Sequence, residues 1–268
     1  MRLDATVIEP LTRPTGVGPW CPVEVRRAQM IHRWDLLTFL HWSYDPDVLA
    51  PLLPDGPQVE TFGGRAWVGL VPFAMLARPP HLPAAPWLSR FCETNVRTYV
   101  TAPDGTTGVW FLSLDAARLA PVVVARRHFH LPYYWSSMSL DVTGPVVSYR
   151  SRRRGPGAAG AGCQVVVDVG RPYDPDELGD LDHWLTARWR LYTREANGLG
   201  HQLAQHDPWP LCRAQVVHLD QDLLQAAGLP EPEGEPLVHW SPGVEVRIGP
   251  RRPVVTWGAV RPQAAGTP

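Results

Sequence analysis

The stretch from Phe91 to Met138 leaves this chain few ways to fold. It begins FCETNVRTYV, turns at Ala102-Pro103-Asp104-Gly105, continues TGVWFLSLDA, and ends in ARRHFHLPYYWSSM. Proline sets φ early in a turn and glycine accepts positive φ. Pro-Asp-Gly between two runs rich in β-branched and aromatic residues therefore predicts a β-hairpin. Side chains alternate along a strand, so Glu93, Asn95, Arg97 and Tyr99 share one face, with Thr94, Val96, Thr98 and Val100 on the other. A carboxylate, an amide, a guanidinium and a phenol thus stand in one row, facing either water or a polar cavity. The second run, Val109 to Leu114, is apolar on both faces apart from Ser113, as expected of a strand buried on both sides. A polar row beside a buried strand favours the cavity.

The rest of the chain is punctuated in the same manner. Thirty prolines and 23 glycines among 268 residues imply many short elements joined by rigid turns, a β-rich architecture. Net charge is −1, which suggests neither nucleic acid nor an anionic membrane as partner. The four cysteines lack C-x-x-C spacing, and no apolar run is long enough to span a bilayer, so a cytoplasmic chain with reduced thiols is expected. Residues 1–24 read as an irregular lead-in, 25–262 as one domain and 263–268 as a disordered tail.

Within the domain, Asp47–Leu53 is a short helical pattern, and Thr61–Phe73 reads as strand, Gly63-Gly64 turn, strand. The proline-dense residues 78–90 read as a covering loop, either a lid or a rim. Asp115 should cap a helix with Leu119, Val122, Val123 and Phe129 inward, stopping before Leu131 because of Pro132. Tyr133 and Tyr134 then enter a strand on opposite faces, so at most one meets the cavity. The arginine- and glycine-rich residues 150–162 read as a mobile hairpin tip, and Val165–Val169 as a strand. Asp174 opens a helix ending near Tyr192, two strands flank Asp207-Pro208-Trp209-Pro210, and Asp222–Ala227 is a short helix. LVHW-SPG-VEVRI reads as strand, turn, strand. No P-loop, GxGxxG or GxSxG motif is present. His128-x-His130 lacks the further ligands a metal needs, so neither metal nor cofactor is expected.

Several segments together resemble one family: HRWDLLTFLHW, LAPLLP, ETFGGRAWVGLVPF, ETNVRTYV, GVWFLSLDA, ARRHFHLPYYW and SPGVEVRI. They are similar to the uncharacterised YqjF-like branch of the acetoacetate decarboxylase-like superfamily. The resemblance implies a mainly β (α+β) fold: an antiparallel barrel-like sheet enclosing a small-molecule cavity, with a few flanking helices and possible homo-oligomers. It puts the family's cavity glutamate on Glu93. Decarboxylases of this superfamily carry a Gly-Tyr-Pro-Lys-Lys segment with the Schiff-base lysine. Here the matching segment is His130-Leu131-Pro132-Tyr133-Tyr134, with tyrosine at both lysine positions, and the chain contains no lysine at all. Arginine stays protonated and cannot act as an amine nucleophile, so amine catalysis is not expected.

Two functions remain open from the sequence. One is a cofactor-independent enzyme acting on a small oxo-acid or polyketide-like carbonyl compound. Glu93 would serve as acid or base, Arg97 would hold a carboxylate, and Tyr133 or Tyr134 would donate to the carbonyl oxygen. Asn95, Tyr99, His41 and Arg127 complete the expected substrate-binding set. The other is a non-catalytic protein that binds or senses a small metabolite in the same cavity, with Glu93 and Arg97 as a static pair.

Overall fold

The computed structural model describes residues 18–85, 89–119, 131–154, 159–195 and 198–254. Its strands are β1 (Met30–Tyr44), β2 (Gln58–Val59), β3 (Thr61–Phe62), β4 (Arg65–Arg78), β5 (Arg90–Thr101), β6 (Thr107–Ala116) and β7 (Tyr133–Thr143). They continue as β8 (Val146–Arg153), β9 (Gly162–Pro172), β10 (Arg190–Glu195), β11 (Gly198–Gln205), β12 (Cys212–Gln221), β13 (Leu237–Ile248) and β14 (Arg252–Pro253). The short helices α1 (Pro46–Leu49), α2 (Asp180–Thr186) and α3 (Leu223–Ala226) pack on this sheet. The Pro-Asp-Gly hairpin forms as expected, joining β5 to β6.

Strand pairing closes two rings on a common wall. The first runs β6-β7-β8-β9-β12-β13-β1-β4-β5 and back to β6. The second runs β11-β10-β6-β5-β4-β1-β13 and back to β11. Pairing is antiparallel except where β6 meets β7 and β10, both parallel. The wall shared by both rings, β6-β5-β4-β1-β13, has apolar residues on both faces because each face looks into a closed interior. Leu40, Trp42, Val68, Leu70, Cys92 and Val96 pack with Leu140, Val147, Tyr149, Val165 and Val167 inside the first ring. Phe39, Val71, Phe73, Phe91, Trp209, Leu211 and Val246 fill the second.

To serve both interiors, two strands of the wall reverse their alternation. On β1, Trp34 packs into the second ring, and so do Leu37 and Phe39, which have the opposite parity. The switch falls at Leu36, whose φ is +51°. On β13, Trp240 faces the first ring while Val244, Val246 and Ile248 face the second. That switch falls at Gly243, φ +121°, which pairs with Asp35. Ser-Pro-Gly is therefore a kink inside one strand and not the turn the sequence suggests. A Cβ at Gly243 would stand 2.2 Å from the Trp34 carbonyl oxygen. Gly243→Ala is accordingly expected to cost more than about 2 kcal/mol, through both strain and a backbone clash. A urea midpoint equal to wild type would contradict this.

Where they fall among the described residues, two helices expected from sequence start or end as strand. Asp115 lies in β6, with its carboxylate buried, so it caps nothing. The helix expected after it falls largely outside the described residues, as do Arg127, His128 and His130. The helix expected from Asp174 to near Tyr192 is a 3-10 turn (Pro175–Glu177), then α2, then strand from Arg190. Tyr192 there pairs β10 to Trp110 of β6, a long-range contact that outcompetes local helix preference. On β6, Trp110, Phe111 and Leu112 are partly exposed, where continuous burial was expected. The four cysteines are unpaired. No helix among the described residues is long and apolar enough to cross a membrane.

Candidate functional site

β5 runs through the middle of the shared wall, and its odd-numbered face looks into the second ring. Glu93, Asn95, Arg97 and Tyr99 are all buried there, at 3%, 5%, 9% and 0% exposure. A one-residue register shift against β6, between Val96 and Arg97, keeps the row aligned. Leu114 and Ala116 flank its Glu93 end, and Phe111 and Val109 its Tyr99 end. Thus four polar groups stand in an interior otherwise built from aromatic and aliphatic side chains.

The row splits into two clusters. At one end the Tyr133 hydroxyl donates to Glu93 Oε2 at 3.0 Å. β7 lies parallel to β6 with Tyr133 opposite Leu114, which brings the phenol over Glu93. Burial pushes the Glu93 carboxyl up to about 8; the Tyr133 hydrogen bond opposes this and the Asp115 charge adds to it. Burial and the Glu93 charge likewise hold the Tyr133 phenol well above its usual range. The pair is neutral near pH 7, with one exchangeable proton on each partner.

At the other end the Tyr99 hydroxyl donates to the Leu185 carbonyl at 2.7 Å, tying β5 to the last turn of α2. His41 Nε2 lies 2.7 Å from the same hydroxyl. Since that hydroxyl spends its proton on Leu185, His41 supplies the other one from Nε2. Burial, reinforced by the Arg97 charge, lowers His41 well below the usual imidazole range, so the ring is neutral. Gly69 makes room for it: a Cβ there would come within 3.0 Å of His41 Nε2. Arg97 lies over the Phe39 and Tyr99 rings and reaches the Leu185 carbonyl at 3.4 Å. Among the described residues it has no carboxylate partner, and its Nε, like Asn95 Oδ1, is buried without a hydrogen bond. The static Glu93–Arg97 bridge is thus not present.

Tyr134 points the other way, its ring 3.7 Å from the Arg153 guanidinium carbon. Sequence reasoning missed what it covers. Arg153 makes a bidentate pair with Asp115 (2.7 and 3.1 Å), both side chains essentially unexposed, and Ser136 adds a third hydrogen bond at 2.9 Å. The signal was available: Val147, Tyr149, Ser151 and Arg153 share one face of β8, and the first three would be read as inward. Also missed were the Arg188–Glu60 ion pair (2.7 Å) beside Tyr99 and the His239–Asp182 contact (3.0 Å). Glu60 and Arg188 are 128 positions apart, and nothing local links them. Two voids among the described residues lie away from Glu93: one of about 730 Å³ beside Ser137, Arg150 and Gln164, and one of about 10 Å³ beside His206 and Trp209. No group of three or more metal-ligating side chains occurs among the described residues.

Comparison with known proteins agrees with this architecture. Residues 32–245 match the model of DUF2071, described as an uncharacterized conserved protein. The chain is 35% identical over 224 residues to the uncharacterized protein YqjF of Bacillus subtilis, covering 83% of this chain and 91% of that protein. Among solved structures it is similar to an acetoacetate decarboxylase from Legionella pneumophila (TM-score 0.59, 13% identity, 88% of this chain and 92% of that one). An acetoacetate decarboxylase-like enzyme from Sphingomonas wittichii RW1 superposes equally well (TM-score 0.59, 14% identity, 89% and 100%). The enduracididine biosynthesis enzyme MppR, complexed with pyruvate, follows at TM-score 0.56 and 14% identity (90% and 99%). The chain therefore belongs to the DUF2071 family, together with YqjF, and has the acetoacetate decarboxylase-like fold.

Proposed function

We infer that this protein is a cofactor-independent enzyme acting on a small oxo-acid or polyketide-like carbonyl compound by acid–base chemistry. The observation that carries the reading is the Tyr133–Glu93 hydrogen bond at 3.0 Å, buried in the second ring, with the carboxyl protonated near neutral pH. A neutral carboxylic acid donates a proton to a carbonyl oxygen, and its conjugate base removes one from the adjacent carbon, so the same group serves enolisation, dehydration or cyclisation. The Tyr133 phenol stabilises the oxyanion as charge develops. Decarboxylation without a covalent intermediate is compatible with the same groups. A Schiff base is not, because the chain supplies no lysine. Arg97, without a carboxylate among the described residues, is the natural counter-ion for an acidic substrate. Pyruvate, the ligand of one structural neighbour, is itself an oxo-acid.

The test is a thermal-shift screen of oxo-acids on wild type and Glu93→Gln, followed by turnover assays on whatever binds. Glu93→Gln is expected to lower kcat by roughly 10²–10⁴-fold, the usual yield of a positioned acid or base, while still binding the ligand. Arg97→Gln is expected to raise KM more than it lowers kcat. A ligand that stabilises wild type and Glu93→Gln equally and is never turned over would replace this reading with the second one, a metabolite-binding protein.

A further inference from the structure

The 730 Å³ void lies on the outer face of the first ring, separated from Glu93 by the first ring's core and the shared wall. Strand register lays out its lining. Ser139, Arg150, Gln164 and Asp220 form one row across β7, β8, β9 and β12. Ser137, Arg152 and Gly162 form the next, extended by Asp222, whose carboxylate accepts from the Gly162 amide at 2.6 Å. Arg150 and Arg152 point outward on alternate positions of β8, about 7 Å apart. Asp220 and Asp222 face them from beyond β9, two strand spacings or about 10 Å away. Between them on β9 lie Gly162, which has no side chain, and Gln164, while the small Ser137 and Ser139 of β7 flank the arginines on their other side. Among the described residues neither arginine has a carboxylate within ion-pair distance, and neither pairs with the aspartates opposite. One wall of the groove is cationic and the other acidic, and they do not neutralise each other.

We propose that this groove is a second binding site, for a small zwitterion whose carboxylate and ammonium groups are several bonds apart. The carboxylate takes the guanidinium forks of Arg150 and Arg152 with help from the Ser137 and Ser139 hydroxyls. The ammonium takes Asp220 and the oxygen of Asp222 not used by Gly162. Gln164 supplies an amide to the chain between them. A simple anion or cation would meet one favourable wall and one repulsive one, so the arrangement selects for both charges at once.

The experiment follows backbone amide shifts in an NMR titration of the full chain with 6-aminohexanoate. Hexanoate and hexylammonium are the single-charge controls. 6-Aminohexanoate should shift the Gly162 and Gln164 amides and bind at least about tenfold tighter than either control, the scale of one charge-assisted hydrogen bond. Arg150→Gln/Arg152→Gln should abolish its advantage over hexylammonium, and Asp220→Asn should reduce its advantage over hexanoate. All three positions are exposed, so the variants are expected to fold, and an unchanged amide spectrum elsewhere verifies it. Equal binding of hexanoate and 6-aminohexanoate would overturn the proposal. So would shifts confined to other strands, or affinity unaltered in both variants.

Discussion

Asp115→Ala is expected to lose about 3–5 kcal/mol of stability, the cost of stranding one partner of a buried ion pair. Arg153 is held by two hydrogen bonds to Asp115, sits under the Tyr134 ring, and has no route to water at about 1% side-chain exposure. Removing the carboxylate leaves a guanidinium in a low-dielectric interior with nothing to balance it. The same physics gives a second arm. Asp115→Leu combined with Arg153→Met removes both charges, and buried pairs replaced by apolar groups are often neutral or better, so the double variant should recover most of the loss. Chemical denaturation of the three proteins checks it. A single variant within about 1 kcal/mol of wild type would mean that the pair is solvated, contrary to its burial.

The stability of wild type relative to Glu93→Gln should fall as pH rises from about 4.5 to about 8. The comparison isolates this carboxyl because the buried His32, His41 and His206, lowered by burial, add stability in both proteins as pH rises towards 6.5. The carboxyl titrates near 4.5 when unfolded and at about 8 in the folded chain, mainly because burial penalises its charged form. Between those values the folded state keeps a proton that the unfolded state has released, so raising pH favours unfolding. The contribution is whole below 4.5 and spent above 8. A shift of this size corresponds to up to about 5 kcal/mol across the window. Glutamine has the same shape and no charge to bury, so the variant should be the more stable protein above pH 8 and nearly equal to wild type at acid pH. Identical pH–stability curves for the two proteins would place the carboxyl in contact with water. If Glu93 acts as the acid in catalysis, kcat/KM should decline through the same alkaline limb, and if as the base, rise through it.

Much of the second ring's polar row was legible because it depends on a local rule. Strand alternation alone put Glu93, Asn95, Arg97 and Tyr99 on one face, and the Pro-Asp-Gly turn fixed where that strand ends. Tyr133 and Tyr134 on opposite faces followed from the same rule, and the structure puts the first on Glu93 and the second over Arg153. The errors came where a local pattern was read without its long-range partner. The Asp115 start resembled a helix cap because an aspartate before a mixed run commonly is one; pairing with β5 and β7 keeps it in a strand. Arg153 lies in an arginine-rich stretch whose composition hides its place on the inward period of β8.

By itself, then, the sequence determined that the chain is built of strands joined by proline and glycine turns, that one strand carries four polar groups on a single face, and that no lysine is available to attack a carbonyl. These depend only on residue identity and on the two-residue period of an extended backbone. The tertiary structure alone decided that β5 is shared by two closed rings, that Glu93 and Arg97 belong to separate clusters, and that opposite charges face each other across β9. Those outcomes rest on ring closure, such as the pairing of Ala204 with Ile248, between residues far apart in the chain. Their loop entropy and packing are settled only when the whole sheet assembles.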